Sequence, residues 1–443
     1  MTAPSNNLSD HDTSTPTQVA DDVVASLAPT ADYTQVFVES TREVRRELID
    51  GDHRATLVEV RQGVGCLILK DGSWRYRHFM AQQLPELGQW LPGVSALPAR
   101  LGLADRSILA PCAPTRGAPG GDRTDKLLED HVVRTFAVAD TTGVRETVRA
   151  ETVRRRAEVT VRRDGMAFRG FSRWFGTAEA TSRAEASADS LIGRAVTSAS
   201  AAARARHWGR QRTDVVFGPS AGAGFLHELI GHALEEDNTA RQSPYIRALF
   251  RPGALPESLV LMDDPGIRDG YGSYGRDDEG QVARPRVMAA AGSAHVISSV
   301  RSSWLNDRHR PGNGRRQDYR HFALPRASNT VVAAGCDDDS RILTPSIRGT
   351  LVVGGLGAGE INLATGEFVF AALDSHVLTR DGTPEPVSDA VLVGNAAAVL
   401  RRLEAVGQHV GGDNATCGKQ GQFLGIGLYS PLMRFADLEW TAA

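Results

Sequence analysis

The chain's 443 residues are more than one domain usually holds, so a two-domain protein is expected and a disulfide-stapled miniprotein is excluded. Apolar residues make up 41% and charged residues 23%, an ordinary globular balance. The net charge of -3 points to no nucleic acid and no membrane as partner. No uncharged apolar run reaches the ~18 residues of a membrane span, and the polar start Met1 to Gln18 lacks the apolar core of a signal peptide, so a cytoplasmic protein is expected. Four cysteines (Cys66, Cys112, Cys336, Cys417) are scattered without a C-x-x-C pair, which fits reduced thiols.

Residues 1–17, rich in Ser, Thr, Asn and Asp, read as a disordered tail. Helical apolar spacing follows at Val19 to Leu27. Strands are expected at Tyr33 to Glu39, His53 to Arg61 and Val64 to Leu69, with a turn at Lys70-Asp71-Gly72. The Pro/Gly cluster from Ala110 to Arg123 is a loop, and Asp125 to Ala137 has helical spacing. Asp164-Gly165 between Glu158 to Arg163 and Met166 to Phe171 marks a hairpin. Ala178 to His207 reads as a long helix, with a domain boundary near Arg210 to Asp214. Beyond it, Leu259 to Met262, His295 to Val300, Gly349 to Gly354, Glu367 to Leu373 and Ala390 to Val393 look like strands. The expected fold is α+β: an N-terminal α/β domain, 18–210, and a mainly antiparallel β domain, 211–443, carrying a functional helix.

That helix is the informative segment: Leu226-His227-Glu228-Leu229-Ile230-Gly231-His232-Ala233-Leu234-Glu235. Two imidazoles with an adjacent carboxylate can hold a divalent metal while the carboxylate takes a proton from water. In the zinc-protease pattern H-E-x-x-H the histidines are i,i+4 and share a helix face. Here they are i,i+5, and five residues at about 100° each leave the second ring roughly 140° from the first. A distorted helix is therefore expected over Leu229 to His232, with Gly231 as the place where a π-bulge or a break could be absorbed. Two histidines leave a catalytic zinc one ligand short. The strongest local candidate for the third is Cys417, in the Gly-rich Gly411 to Gln422, where Lys419 can favour a thiolate.

Other signals compete. Gly218-Pro219-Ser220-Ala221-Gly222 matches the nucleophile elbow of a serine hydrolase. Gly354 to Gly359 imitates a phosphate cradle but lacks its spacing, and reads as a strand end or cavity-lining loop. Arg301, Arg308, Arg310, Arg315, Arg316, Arg320 and Arg326 form a basic stretch that could meet nucleic acid or an acidic substrate but reads first as a solvated basic loop, and Asp337-Asp338-Asp339 reads as a solvated turn.

The histidine segment, together with Gly312-Asn313-Gly314-Arg315-Arg316, Pro325-Arg326-Ala327-Ser328-Asn329-Thr330, Gly357-Ala358-Gly359-Glu360-Ile361-Asn362 and Cys417-Gly418-Lys419-Gln420-Gly421-Gln422, resembles the TldD/PmbA family of metalloproteases, in its metal-bearing TldD-like branch. The blocks span Asp214 to Trp440; the first half is similar only in its pattern of elements. The resemblance implies that His227, His232 and Cys417 bind one Zn2+ per metal-bearing subunit, and that Glu228 is the catalytic general base. It further implies a dimer around an enclosed cavity, either a homodimer or a pair with a metal-lacking TldE/PmbA-like subunit. The implied substrate is an unfolded peptide, or a peptide-like biosynthetic intermediate, held as an added strand. Where the family usually has Gly-Leu-Glu-Gly-Asp, this chain has Ala233-Leu234-Glu235-Glu236-Asp237. The alternatives are a non-catalytic subunit or binding module with a structural metal, and a serine hydrolase using Ser220.

Overall fold

The computed structural model describes residues 15–83, 122–304 and 310–442. Most of the tail 1–17, most of the loop Ala110 to Arg123, Cys112 and Arg308 lie outside them. The first helix, Pro16–Leu27, starts earlier than its apolar spacing suggests because Thr15 caps it. The Thr15 hydroxyl accepts from the Gln18 amide at 3.3 Å, and Gln18 Oε1 accepts from the Thr15 amide at 2.8 Å. Its apolar stripe, Val19, Ala20, Val23, Val24 and Leu27, packs on Val36, Val38, Val64 and Cys66.

Those residues belong to a six-stranded sheet of β1 (Tyr33–Ile49), β2 (Asp52–Lys70), β3 (Ser73–Met80), β4 (Arg123–Asp140), β5 (Arg145–Arg163) and β6 (Met166–Thr177), ordered β3-β2-β1-β4-β5-β6 and antiparallel throughout. Asp50-Gly51, Asp71-Gly72 and Asp164-Gly165 turn its hairpins with positive φ at both positions, which matches the strand twist. The two strands expected between His53 and Leu69 are one continuous β2.

The helix expected at Asp125 to Ala137 is strand β4. Leu127-Leu128, Val132-Val133 and Phe136-Ala137 mimic helical spacing, but β4 lies between β1 and β5 and is covered on both faces. Leu127 packs under the helix Ala188–Ala202, while Phe136 packs against Phe37 and Tyr319 from the second half of the chain. An interior strand needs apolar residues on both sides of the pleat, which erases the alternation that marks a strand. The expected long helix Ala178 to His207 is confined to Ala188–Ala202, capped by Ser187 and preceded by two 3-10 turns. It lies so close to β6 that a Cβ on Gly170 would meet the Ala195 carbonyl oxygen at 1.9 Å.

In the second half, β7 (Gly209–Phe217) runs at the centre of a nine-stranded sheet, parallel to Thr350–Val353 and antiparallel to Met433–Ala442. One edge of that sheet is Gly355–Ile361 and the other Pro384–Val387. A six-stranded sheet places Asn329–Val332 between Leu261–Asp263 and Gln422–Ser430, with Gly411–Lys419 at its edge. Pairing is mainly antiparallel, as expected. His295 to Val300 is not a regular strand: the Ile297 amide donates to Leu234 O, and Ile297 O accepts from the Glu236 amide. Its backbone is spent on the functional segment. The site of the expected boundary, Arg210 to Asp214, falls inside β7. Among the described residues no helix is long and apolar enough to cross a membrane.

Buried charges clasp the two halves. Arg134 Nε donates to Glu39 Oε1 at 2.5 Å and Nη1 to Asp278 Oδ1 at 2.8 Å, while Arg316, over the Phe37 ring, donates to Gln35 Oε1 at 2.8 Å. Burial pushes the Glu39 carboxyl up, and the Arg134 guanidinium opposes it. Replacing Arg134 by Met would take from the buried carboxylates of Glu39 and Asp278 the cation they share. The unfolding free energy of Arg134→Met, read from urea denaturation, is expected to fall by about 3 kcal/mol.

Candidate metal centre

Strand β7 ends at Phe217, Gly218 precedes the next helix, which Pro219 opens, and the helix Pro219–Leu226 is wedged between the sheets. Gly222 permits this approach, since a Cβ there would meet Met433 Cε at 2.4 Å. Phe225 stacks on Phe217 with centroids 4.5 Å apart, so the entry to the functional segment is rigid core.

From His227 to Gly231 the helix widens into a π-turn, with the His232 amide donating to His227 O, and then tightens to 3-10 over His232–Leu234. The distortion starts two residues before the expected span. An i→i+5 turn carries the second histidine back over the first: the rings lie 4.8 Å apart by centroid. Side chains clamp the irregular run. The Tyr245 hydroxyl donates to Leu229 O at 2.6 Å, and Asn238 Nδ2 to His232 O at 2.8 Å.

The hairpin of Gly411–Lys419 and Gln422–Ser430 delivers Cys417 to this point. Its Sγ lies 3.2 Å from His227 Nε2 and 3.1 Å from His232 Nε2. Together with Glu228, the ligand atoms of all four side chains fall within 4.8 Å of one another, and among the described residues no other cluster of this kind occurs. The outer ring nitrogens are occupied: His227 Nδ1 by Thr330 Oγ1 at 2.8 Å and His232 Nδ1 by Glu235 Oε2 at 2.9 Å. Both Nε2 atoms therefore face the sulfur.

The electrostatics favour a thiolate at Cys417. Burial would raise the Cys417 thiol pKa, but the His232 and His227 rings outweigh it and hold it well below the ordinary range. Burial would likewise raise Glu235, yet Lys419 and His232 hold it well below the carboxylate range. Burial raises Glu228, with the two imidazoles opposing. Its carboxylate keeps 28% exposure and lies 3.8 Å from His232 Nε2. Zinc bonds of about 2.0–2.1 Å to nitrogen and 2.3 Å to sulfur, set tetrahedrally, separate N and S donors by roughly 3.5 Å. The observed 3.1 and 3.2 Å need only a few tenths of an ångström of relaxation, so the donor set fits such an ion.

The remaining sequence signals resolve differently. Lys419 does not meet the sulfur; its ammonium pairs with Glu235 at 2.8 Å and Asp237 at 2.6 Å. Glu235 and Thr330, which orient the imidazoles, had no role assigned from the sequence. Their signal lay only in the invariable need of a ligating histidine for a partner on its second nitrogen. Arg315, Arg316 and Arg326 are buried rather than solvated, because their guanidinium groups serve interior carbonyls. Asp338 caps the short helix Asp339–Ile342. Gly355–Ile361 is an edge strand whose Leu356 lies against Gly224. Ser220 sits in plain helix without the strained backbone of an elbow, and both nearby histidines are engaged elsewhere.

Comparison with known proteins bears on the family and the fold. The signature of the PmbA/TldA metallopeptidase C-terminal domain covers residues 210–441. A Metalloprotease TldD homolog of Haemophilus influenzae is 26% identical over 230 residues, 51% of this chain and 47% of that protein. A Zinc metalloprotease TldD homolog of Saccharolobus solfataricus is 28% identical over 51% of this chain and 50% of its own length. The chain thus aligns with about half the length of these curated relatives. TldE from Thermococcus kodakarensis shares the fold, with a TM-score of 0.72 at 14% identity over 95% of this chain and 99% of that one.

Thr330→Val keeps the shape of the side chain and removes the partner of His227 Nδ1. Its affinity for Zn2+, measured by competition with a chromophoric chelator, is expected to drop at least tenfold.

Proposed function

Since the chain belongs to the PmbA/TldD metallopeptidase family, we propose that it hydrolyses peptide bonds in unfolded peptides or a peptide-like intermediate, with zinc held by His227, His232 and Cys417 and with Glu228 as the base. The observation that carries this reading is the convergence of two Nε2 atoms and one Sγ beside a partly open carboxylate. The word zinc in the name of the Saccharolobus relative favours that ion.

A divalent ion bound there would polarise the scissile carbonyl and acidify water. The chain's residues supply the rest. Glu228 accepts a proton from the attacking water and returns it to the leaving nitrogen. Glu235 and Thr330 keep the Nε2 lone pairs turned inward. The strand Gly355–Ile361, which borders the helix leading to His227 and is an edge of its sheet among the described residues, would offer its outer backbone to an extended substrate. Folded proteins cannot present such a strand. A dimer, of two copies or with a TldE-like subunit, would enclose this edge.

Glu228→Gln is expected to retain bound zinc while peptide turnover falls by about 10²- to 10⁴-fold. Chelation of the wild type should abolish cleavage, and added Zn2+ should restore it. Undiminished activity in Glu228→Gln would remove the carboxylate from the mechanism, and inhibition by a serine-directed reagent but not by a chelator would move the chemistry to Ser220.

A further inference from the structure

A buried guanidinium needs an anion or a full set of acceptors. Arg326 is 1% exposed, and among the described residues no carboxylate comes within ion-pairing distance of it. Its Nη2 instead donates to Cys417 O at 2.9 Å and to Cys417 Sγ at 3.2 Å, and its Nη1 to Gln422 O at 3.3 Å. Glu235, the next anion, is already bound by Lys419 at 2.8 Å. The sulfur is therefore the anionic group that Arg326 faces directly. The backbone of Arg326 is fixed as well: its amide donates to Asn313 O at 2.9 Å, and Asn313 Nδ2 donates to its carbonyl at 3.3 Å.

Around the sulfur, the described residues offer three N–H groups or ring nitrogens: His227, His232 and Arg326. If the two imidazoles give their Nε2 lone pairs to a metal, Arg326 alone of the three stays as a hydrogen-bond donor to the thiolate. A hydrogen bond from a cation withdraws electron density from sulfur. We propose that Arg326 is a positioning residue of the metal centre: it aims the Cys417 sulfur and draws off part of its charge, offsetting the loss of Lewis acidity that a thiolate imposes compared with a third imidazole. This rests on Cys417 being a metal ligand.

The test uses Co2+ alone as the probe, through the sulfur-to-cobalt charge-transfer absorption. In Arg326→Met, which keeps length and loses charge, the sulfur becomes more electron-rich. The band is expected to move to longer wavelength, and Co2+ affinity to change by 10- to 100-fold. Arg326→Lys keeps the charge without the fork; a smaller shift of the same sign is expected, and this variant carries the test if the Met variant does not fold. Bands unmoved in every folded variant would overturn the proposal. So would a crystal structure of the zinc-loaded wild type with Nη2 beyond about 4 Å from the sulfur, outside hydrogen-bond range. Wild type lacking any sulfur-to-cobalt band would instead refute Cys417 as a ligand, and this inference with it.

Discussion

The centre depends on one turn of helix being wider than an α-helix allows. With histidines five residues apart, an undistorted helix would point the rings in different directions, and no single atom could meet both. The π-turn at His227–Gly231 removes that conflict. It is held from outside its own backbone, by the Tyr245 hydroxyl on Leu229 O and by the Asn238 amide on His232 O. Tyr245 is core, packed against Gly366 at the turn that follows the edge strand Gly355–Ile361. The wide turn and the hairpin that begins with this edge strand thus share a buried support.

One stretch of chain organises the charges around the turn. Within Arg326–Thr330, the guanidinium meets the Cys417 sulfur, the Ala327 amide meets Glu235, and the Thr330 hydroxyl meets His227. Lys419, from the same hairpin as the sulfur, closes the chain through Glu235 to His232. Each buried ionic group answers another, which is what permits so many charges away from water. Glu228 alone among the carboxylates here is left without a strong cation and with access to solvent, the conditions a proton acceptor requires.

The first half contributes a wall rather than ligands. Its helices cover one face of the sheet β1–β6, and residues such as Phe37 and Phe136 on the other face pack on Tyr319 of the second half. The Arg134 and Arg316 contacts reach the segments that precede Arg326 in the chain.

Much was legible from local chemistry. Asp-Gly dipeptides marked two of the hairpins because few other pairs tolerate positive φ twice, and the i,i+5 spacing announced a distorted helix because angular arithmetic left no other solution. The interior strand β4 was misread because burial on both faces destroys the period-two signal. Buried arginines were misread as solvated because sequence shows charge but not the carbonyls that receive it. By itself, then, the sequence determined the histidine pair with its carboxylate and the mainly antiparallel second half, since these follow from residue type and near-neighbour spacing. Only the tertiary structure decided that Cys417, which the sequence could nominate but not place, stands over both rings, that Thr330 orients one of them and that Arg326 faces the sulfur, because contacts between residues some 90 to 190 positions apart are set by how the sheets pack.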